Sequence, residues 1–254
     1  MKSQTAKNNT LRIVKGFLAL LCFLVCAPGF SAAAAGDPSI ITAREAHRIM
    51  EERGDITFIN TMSVIECRDH RIPGSVCISC PQFEKEVARI IQDKDRRLVL
   101  YCASIGCHRS MHAARTAIGL GYRNVCVLDG GLPAWKEAGY SVESERRIPR
   151  TGIASIKPKV LSRWVAEKKD ILILDIRSRD LFDKDHIPGS VNRPLDELEE
   201  TYRVLPMDKG IIVVDEQGHR SFLAACYLYE RGLVDIRRLF GGMQDWRSFM
   251  NREE

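Results

Sequence analysis

The chain has little net charge outside its N-terminal segment. The formal net charge of the 254 residues is +5, and residues 1–35 hold four basic residues and no acidic one. The remainder therefore has a net charge of about +1, which gives no electrostatic basis for binding nucleic acid or a membrane surface. We expect no nucleic-acid partner.

The sequence also lacks the features of a metal protein and of several other protein classes. Cys77 and Cys80 form a Cys-x-x-Cys pair, but no second pair or neighbouring histidines accompany it, which argues against zinc. We predict neither a metal nor a cofactor. At the Cys77–Cys80 pair, we expect a structural disulfide or reduced thiols. Hydrophobic residues make up 45% of the chain and charged residues 28%, which argues against disorder, collagen and a multi-span membrane protein.

The N-terminus has the pattern of an export signal. A basic start is followed by an uncharged, strongly apolar stretch from Gly16, then by Pro28 and an alanine-rich segment. We predict a secretory signal peptide over residues 1–35, cut after Ala34 or Ala35, and a periplasmic or secreted mature protein. An uncleaved membrane anchor is the alternative, and a lipoprotein at Cys26 is disfavoured by the bulky Val25 before it.

Seven cysteines remain after the signal, and six of them lie in the first half of the mature chain. They are Cys67, Cys77, Cys80, Cys102, Cys107, Cys126 and Cys226. An exported compartment permits disulfides, but the odd number leaves at least one thiol unpaired within the chain. The two halves therefore differ chemically.

The mature chain repeats itself. Residues Ile56–Val76 align with Ile171–Val191 at an offset of 115, and both segments end in IPGSV. Residues Arg109–Ala114 align with Arg220–Ala225 at an offset of 111. A repeat of about 110 residues is the length of a domain rather than of a solenoid unit, so we infer duplication of a whole domain.

Each half alternates strands and helices, which predicts an α/β fold of two domains, each a parallel sheet flanked by helices. We predict domains at 36–147 and 148–254, with a linker near Glu145–Ile156, and a capping box from Thr42 to Glu45. The predicted strands are 56–60, 97–102, 124–128 and 211–214. The predicted helices are 82–91, 110–120, 132–138 and 221–231.

In such a sheet, ligands bind beyond the carboxyl ends of the central strands. The loops at 102–110 and 215–221 leave the two buried strands and lead directly into helices. Backbone N–H groups converge at such a helix N-terminus, where they bind anions and lower the pKa of a cysteine thiol. Cys102 begins the first loop, whereas Asp215 begins the second.

The second half resembles a rhodanese domain in four motifs. They are Asp175 with Arg177, the segment His186–Ser190, the loop residues Gly218, Arg220 and Ser221, and Gly241-Gly242 with Trp246. Asp215 stands where this family has its cysteine, and an aspartate cannot carry a transferable sulfur. The resemblance therefore implies a catalytically silent second domain with a degenerate loop of Asp215, Gly218, Arg220 and Ser221.

The resemblance implies sulfurtransferase activity in the first domain. A Cys102 persulfide would carry sulfane sulfur from a small sulfur anion, such as thiosulfate, polysulfide or a persulfide, to a thiol or cyanide. The predicted catalytic residues are Cys102, Cys107 and Arg109. The predicted substrate-binding loop residues are Ala103, Ser104, Ile105, Gly106, His108 and Ser110. This loop is two residues longer than the family pattern, and Asn60 and Met62 replace the family's Asp and Arg.

Several alternatives are open. Cys107 is a resolving cysteine, the primary nucleophile, or a buried apolar residue. The whole protein is a sulfurtransferase, a thiol–disulfide or sensing protein using Cys102 and Cys107, or a non-enzymatic sulfur carrier. A phosphatase of the Cys-x5-Arg type is disfavoured, because the spacing from Cys102 to Arg109 is one residue longer. We expect Cys67, Cys126, Cys226, Trp135 and Trp246 to be packing residues.

Overall fold

A computed structural model describes residues 36–52, 55–103 and 108–253. The predicted signal peptide at 1–35 lies outside the described residues. Among the residues that are described, no helix is both long and apolar enough to span a membrane. The described residues form one compact unit that contains both halves of the repeat.

In its described residues, each half forms one five-stranded sheet in which every strand pairing is parallel. The strands of the first half are β1 (Ser39–Ile41), β2 (Ile56–Asn60), β3 (Val76–Cys77), β4 (Arg97–Tyr101) and β5 (Asn124–Leu128). Those of the second half are β6 (Ala154–Ile156), β7 (Ile171–Asp175), β8 (Val191–Asn192), β9 (Gly210–Val214) and β10 (Ile236–Leu239). The strand orders β1-β5-β4-β2-β3 and β6-β10-β9-β7-β8 are the same topology, which confirms the predicted fold of two parallel sheets flanked by helices.

Helices cover both faces of each sheet. The first half contains α1 (Ala43–Glu51), α2 (Val64–Asp69), α3 (Phe83–Ile90), α4 (His108–Gly119) and α5 (Gly131–Glu137), with a 3-10 turn at Cys80–Gln82. The second contains α6 (Pro158–Ala166), α7 (Arg179–Lys184), α8 (Leu198–Thr201), α9 (His219–Tyr229) and α10 (Gly242–Glu253), with a 3-10 turn at Tyr202–Val204. Each sheet has an apolar cluster on each face, as a parallel sheet covered on both sides requires.

The central strands β4 and β9 are the most apolar parts of their sheets. Four consecutive residues of each strand, 98–101 and 211–214, are buried because helices cover both faces of the strand. The strands at 56–60 and 124–128 have the predicted bounds. The helices α4 and α9 begin two residues before their predicted starts, because their first residues are polar and carry no apolar periodicity.

Two capping boxes start helices in the first half. Thr42 Oγ1 accepts a hydrogen bond from Glu45 N (3.2 Å) and Glu45 Oε2 accepts one from Thr42 N (2.9 Å), which confirms the predicted start of α1. Ser63 and Glu66 make the same exchange at α2 (3.2 and 3.1 Å), a capping box that was not predicted from the sequence.

Helix α2 joins the two halves. Its Ile65 is 3% exposed and packs in the apolar cluster of the second half, together with Ile148 of the connecting segment. The backbone N–H of Ile148 donates to Asp69 Oδ1 at 2.8 Å, at the end of the same helix. The segment predicted as a linker is therefore fixed to the first half, and Ile65 of α2 contributes to the core of the second half.

Candidate functional site

Cys102 lies directly after β4, at the carboxyl end of the central strand of the first sheet, and is 3% exposed. Its carbonyl oxygen accepts a hydrogen bond from Leu132 N at 2.9 Å. Gly131 makes this approach possible, because its φ is +58° and a Cβ there would lie 2.5 Å from the Cys102 oxygen. In the second half, Met243 N donates to the backbone carbonyl oxygen of Asp215 at 2.8 Å. The Gly-Gly motif thus holds the start of the loop in both halves.

The second loop shows how the backbone binds an anion. Asp215 Oδ1 accepts a hydrogen bond from Gly218 N at 2.7 Å, and Oδ2 accepts one from Arg220 N at 2.8 Å. Gly218 has a φ of +85° and comes directly before α9, so the helix N-terminus points at the carboxylate. The side chain of Asp215 therefore occupies the N–H groups that the sequence predicted for a sulfur anion.

The first loop is described only at its two ends. Ala103 is partly buried, His108 is exposed at the start of α4, and Ser110 is 5% exposed. The remaining predicted loop residues, Ser104, Ile105, Gly106 and Cys107, lie outside the described residues.

Cys102 is disulfide-bonded. Among the described cysteines, Cys67 is bonded to Cys77, while Cys80, Cys126 and Cys226 are free thiols.

Arg109, the second residue of α4, extends to the second half. Its Nη1 and Nη2 lie 3.3 and 3.0 Å from the two carboxylate oxygens of Asp196. Asp196 precedes α8, and its side chain is only 6% exposed, compared with 23% for Arg109. The guanidinium that the sequence predicted to act on substrate is thus bound at two points by a buried carboxylate.

Arg220, the repeat equivalent of Arg109, crosses in the opposite direction. Its Nε and Nη2 lie 2.8 and 2.9 Å from the two carboxylate oxygens of Glu66 in α2. Burial opposes ionisation of Glu66, but the charge and hydrogen bonds of Arg220 outweigh it and lower the pKa of Glu66 to about 2. Each half therefore supplies one arginine to a carboxylate of the other. No sequence pattern indicates this exchange, since Glu66 aligns with Leu181 in the other half rather than with an acidic residue.

The residue before Cys102 also fixes the strand end. The hydroxyl of Tyr101 accepts a hydrogen bond from Ile72 N at 3.0 Å and lies 2.7 Å from Ser75 Oγ, within the IPGSV segment. Burial raises the pKa of Tyr101 to about 12, so the phenol stays neutral at physiological pH. Thr61 donates both its N–H and its hydroxyl to the Tyr101 carbonyl, at 3.0 and 2.8 Å.

The Asp-x-Arg motif keeps only part of its role in the first half. Asp175 Oδ1 accepts from Arg177 N at 2.9 Å, and Asn60 Oδ1 accepts from Met62 N at the same distance. The Arg177 side chain is 2% exposed and contacts the carboxylates of Asp175, Asp185 and Glu216. Met62 instead packs in an apolar cluster. Asn60 therefore preserves the backbone hydrogen bond of the motif in the first half. The ion-pair network around the arginine of the motif is described in the second half.

The predicted cysteine assignments need correction. Cys77 is disulfide-bonded to Cys67 with a Cα–Cα distance of 6.1 Å, so Cys67 is not simply a packing residue. Cys80, the other member of the Cys-x-x-Cys pair, is a partly buried free thiol. Cys126 is a partly buried free thiol that packs against the apolar cluster on one face of the first sheet, and its Sγ lies 3.1 Å from Ser39 Oγ. The packing roles of Cys226, Trp135 and Trp246 are confirmed by burial.

Comparison with known proteins identifies the family. The rhodanese-like domain matches residues 42–138 and again residues 157–249, and the chain therefore belongs to the rhodanese family. Both matched ranges fall within the predicted domains. The tandem arrangement inferred from the repeat is confirmed.

Several relatives carry sulfur-related names. The putative sulfur carrier protein YrkF of Bacillus subtilis is 32% identical over 111 residues, covering 44% of this chain and 57% of that protein. The thiosulfate sulfurtransferase GlpE of Shewanella oneidensis is 35% identical over 84 residues, covering 33% of this chain and 83% of that protein. Among solved structures, a thiosulfate sulfurtransferase from Pseudomonas aeruginosa is 20% identical with a TM-score of 0.39, covering 80% of this chain and 43% of that chain. The chain thus spans little more than half of the Bacillus protein.

Proposed function

We propose that the protein is an exported sulfurtransferase in which Cys102 of the first domain carries sulfur as a persulfide. The observation that carries this proposal is the equivalence of Cys102 and Asp215. Both residues follow the central strand of their sheet, and both carbonyls accept a hydrogen bond from the first turn of the helix after the Gly-Gly motif. One position holds a nucleophile, and the other holds a side chain that cannot carry sulfur.

The reaction has two halves. The Cys102 thiolate attacks the outer sulfur of thiosulfate, the S–S bond of the donor breaks, and sulfite leaves with the bonding electron pair. The new bond is the persulfide of Cys102. An incoming thiolate or cyanide then takes the outer sulfur, and the Cys102 thiolate is regenerated.

In this proposal, the loop that follows Cys102 stabilises the two anionic forms of this residue, the thiolate and the persulfide. The second domain supports this role, because two backbone N–H groups hold the Asp215 carboxylate at the start of α9. In the first domain, backbone N–H groups at the N-terminus of α4 would stabilise the Cys102 thiolate and its persulfide. The Asp215 carboxylate fills the second loop, which is a further reason to propose that this domain is silent.

Export is part of the proposal. The predicted signal peptide at residues 1–35 directs the protein to the periplasm or outside the cell. The Cys67–Cys77 disulfide supports this location, because structural disulfides persist in oxidising compartments. The proposed partners are a small sulfur anion as donor and a small-molecule or protein thiol as acceptor.

A thiol–disulfide function is the second candidate, and the disulfide bond at Cys102 favours it. A disulfide-bonded Cys102 cannot attack a sulfur donor, so sulfur transfer requires prior reduction by a dithiol. If the resolving thiol is Cys107, it could also attack the Cys102 persulfide, which would form the disulfide and release hydrosulfide. The two candidates therefore differ in whether sulfur reaches an external acceptor.

A transfer assay tests the proposal. The mature, pre-reduced protein would be assayed for thiocyanate formation from thiosulfate or polysulfide and cyanide, with Cys102→Ser, Cys107→Ser and the control Cys126→Ser. The proposal predicts loss of transfer in Cys102→Ser and full transfer in the control. Loss in Cys107→Ser alone would move the nucleophile to Cys107. Absence of transfer in the wild-type protein, together with reversible oxidation of Cys102, would favour the thiol–disulfide function.

A further inference from the structure

Two buried hydroxyl groups hold Tyr101, the residue that precedes Cys102. Thr61 donates its hydroxyl as well as its N–H to the Tyr101 carbonyl, at 2.8 and 3.0 Å. The hydroxyl of Tyr101 itself contacts Ile72 and Ser75 of the IPGSV segment. Thr61 and Tyr101 are both 0% exposed, so neither side chain is in reach of a substrate. Any effect of these hydroxyls on sulfur transfer must therefore act through the position of Cys102.

The Tyr101 hydroxyl belongs to a closed ring of three hydrogen bonds. Ile72 N donates to the Tyr101 hydroxyl at 3.0 Å, and Ser75 Oγ donates to the Ile72 carbonyl at 2.6 Å. A serine hydroxyl has one proton, so Tyr101 is the donor in its 2.7 Å contact with Ser75. Hydrogen bonds joined in this way strengthen one another. The ring fixes the end of β4 to the IPGSV segment and leaves the phenol no proton to give to a reactant.

The two peptide groups that flank Cys102 are both held by hydrogen bonds. The first contains the Tyr101 carbonyl, which accepts the two hydrogen bonds of Thr61. The second contains the Cys102 carbonyl, which accepts a hydrogen bond from Leu132 N at 2.9 Å. Because peptide groups are planar, fixing both groups also fixes the backbone dihedral angles of Cys102 between them. Rotation about the Cα–Cβ bond is then the main freedom that the sulfur atom keeps.

The second half has the backbone contact of this arrangement without the hydroxyl contacts. Ile176, the repeat equivalent of Thr61, donates its N–H to the carbonyl of Val214 at 2.8 Å. Val214 is the repeat equivalent of Tyr101 and, like Ile176, has no hydroxyl. The backbone hydrogen bond is therefore common to both halves, whereas the hydroxyl contacts belong to the half that has a cysteine at the end of its central strand.

A serine of the second half shows the consequence of the missing tyrosine. Ser190 is the equivalent of Ser75 in the shared IPGSV segment, and the same backbone turn forms at both positions, with N–O distances of 3.0 and 3.1 Å. The hydroxyl oxygen of Ser190 is buried and has no hydrogen-bond partner in the described part of the chain. Buried polar atoms normally have a partner. The turn thus presents a hydroxyl that Tyr101 binds in the first half and Val214 cannot bind in the second.

We infer that Thr61 and Tyr101 are positioning residues for Cys102, and that their hydroxyl groups raise the rate of sulfur transfer without contacting the donor. The inference rests on the proposed sulfur transfer at Cys102. The attacking sulfur must approach the outer sulfur of the donor in line with the bond that breaks, so a small displacement of Cys102 lowers the rate strongly. The hydroxyl contacts limit this displacement by holding the preceding residue.

Thr61 allows a matched pair of substitutions at one position. Thr61→Val removes the hydroxyl but keeps the shape and the backbone hydrogen bond, whereas Thr61→Ser keeps the hydroxyl. Thiocyanate formation would be measured with pre-reduced mature protein, with thiosulfate or polysulfide as donor and cyanide as acceptor. The kcat of Thr61→Val should fall about fivefold while KM for the donor stays within about twofold of wild type. Thr61→Ser should restore kcat to within about twofold.

Tyr101→Phe opens the hydrogen-bonded ring and keeps the aromatic ring in place. Its kcat should fall about tenfold, again with little change in KM. The matched control is Tyr122→Phe, because Tyr122 is buried in the same domain and its hydroxyl donates to the Ile91 carbonyl. Tyr122 precedes the amino end of β5, at the edge of the sheet opposite to Cys102. The control should lose stability in urea-induced unfolding and keep the wild-type kcat.

The outcomes separate the inference from the proposed function. Wild-type kcat in folded Thr61→Val and Tyr101→Phe overturns the inference, and so does an equal fall in Thr61→Ser or in Tyr122→Phe. A higher KM with unchanged kcat overturns it also, because the hydroxyls would then act on donor binding. If Tyr101→Phe does not fold, the two Thr61 variants decide. Failure of the wild-type protein to transfer sulfur from any donor overturns the proposed function itself, and the inference with it.

Discussion

Glu66 of the first domain and Arg220 of the second form a two-point ion pair, with nitrogen–oxygen distances of 2.8 and 2.9 Å. Glu66 is 7% exposed and also completes the capping box of α2 with Ser63. One carboxylate therefore starts a helix and joins two domains. The stability of the whole unit should depend on it.

Replacing Glu66 should destabilise the protein strongly. Glu66→Gln leaves the Arg220 guanidinium without its counter-charge, and breaking a largely buried pair costs about 3 kcal/mol or more in the free energy of unfolding. Urea-induced unfolding of the two proteins measures the difference. The control is Glu86→Gln, which removes an exposed helical pair with Arg89 and should cost less than about 0.5 kcal/mol. Equal effects of the two substitutions would contradict the assigned importance of the Glu66 pair.

The same pair predicts a pH dependence of stability. The pKa of Glu66 is lowered from its usual value of 4.5 to about 2 in the folded protein, so the unfolded state binds a proton first as the pH falls. The contribution of Glu66 is therefore complete above pH 4.5 and is lost as the pH falls toward about 2. The difference in unfolding free energy between wild type and Glu66→Gln should shrink across this window. A difference that stays constant from pH 6 to about pH 2 would contradict the ion pair.

The Cys67–Cys77 disulfide should stabilise the domain contact. It closes a loop with a sequence separation of 10 and fixes α2, which carries Ile65 and Glu66 to the second domain. Replacing both cysteines by serine should lower the unfolding free energy by about 2–3 kcal/mol, because the unfolded chain gains conformational entropy when the loop is no longer closed. The matched control is Cys80→Ser, which alters a free thiol in the same region. An equal loss in the control would show that the disulfide itself contributes little.

Gly131 should tolerate no side chain. Gly131→Ala places a Cβ 2.5 Å from the Cys102 carbonyl at a φ of +58°, so it adds a collision to the backbone strain. Gly74→Ala is the control, because Gly74 has a similar φ of +71° and no atom within 4 Å of a Cβ. Strain alone should cost about 1–2 kcal/mol in both variants, and Gly131→Ala should lose more and lower the rate of sulfur transfer. Equal stability of the two variants, measured by thermal unfolding, would contradict the tight contact at Cys102.

The internal repeat was sufficient to predict the fold of two similar domains, whereas the contacts between the domains could not be predicted from the sequence. The buried stretches 98–101 and 211–214 are continuous apolar runs, and the shared IPGSV and Gly-Gly segments place them in equivalent positions of the repeat. Cysteine spacing does not determine connectivity, so the link of Cys77 to Cys67 rather than Cys80 could not be derived. The partners of Arg109 and Arg220 lie 87 and 154 residues away in sequence, and only the folded arrangement brings them together.

The most direct test of the account is the intact mass of the pre-reduced mature protein after exposure to a sulfur donor. Wild-type protein should gain the mass of one sulfur atom from glutathione hydropersulfide, and cyanide should remove it as thiocyanate. Cys102→Ser should gain nothing, whereas Cys80→Ser should behave as wild type. A sulfur adduct that persists in Cys102→Ser, or no adduct in the wild-type protein from any donor, would contradict the assignment of Cys102 as the sulfur-carrying residue.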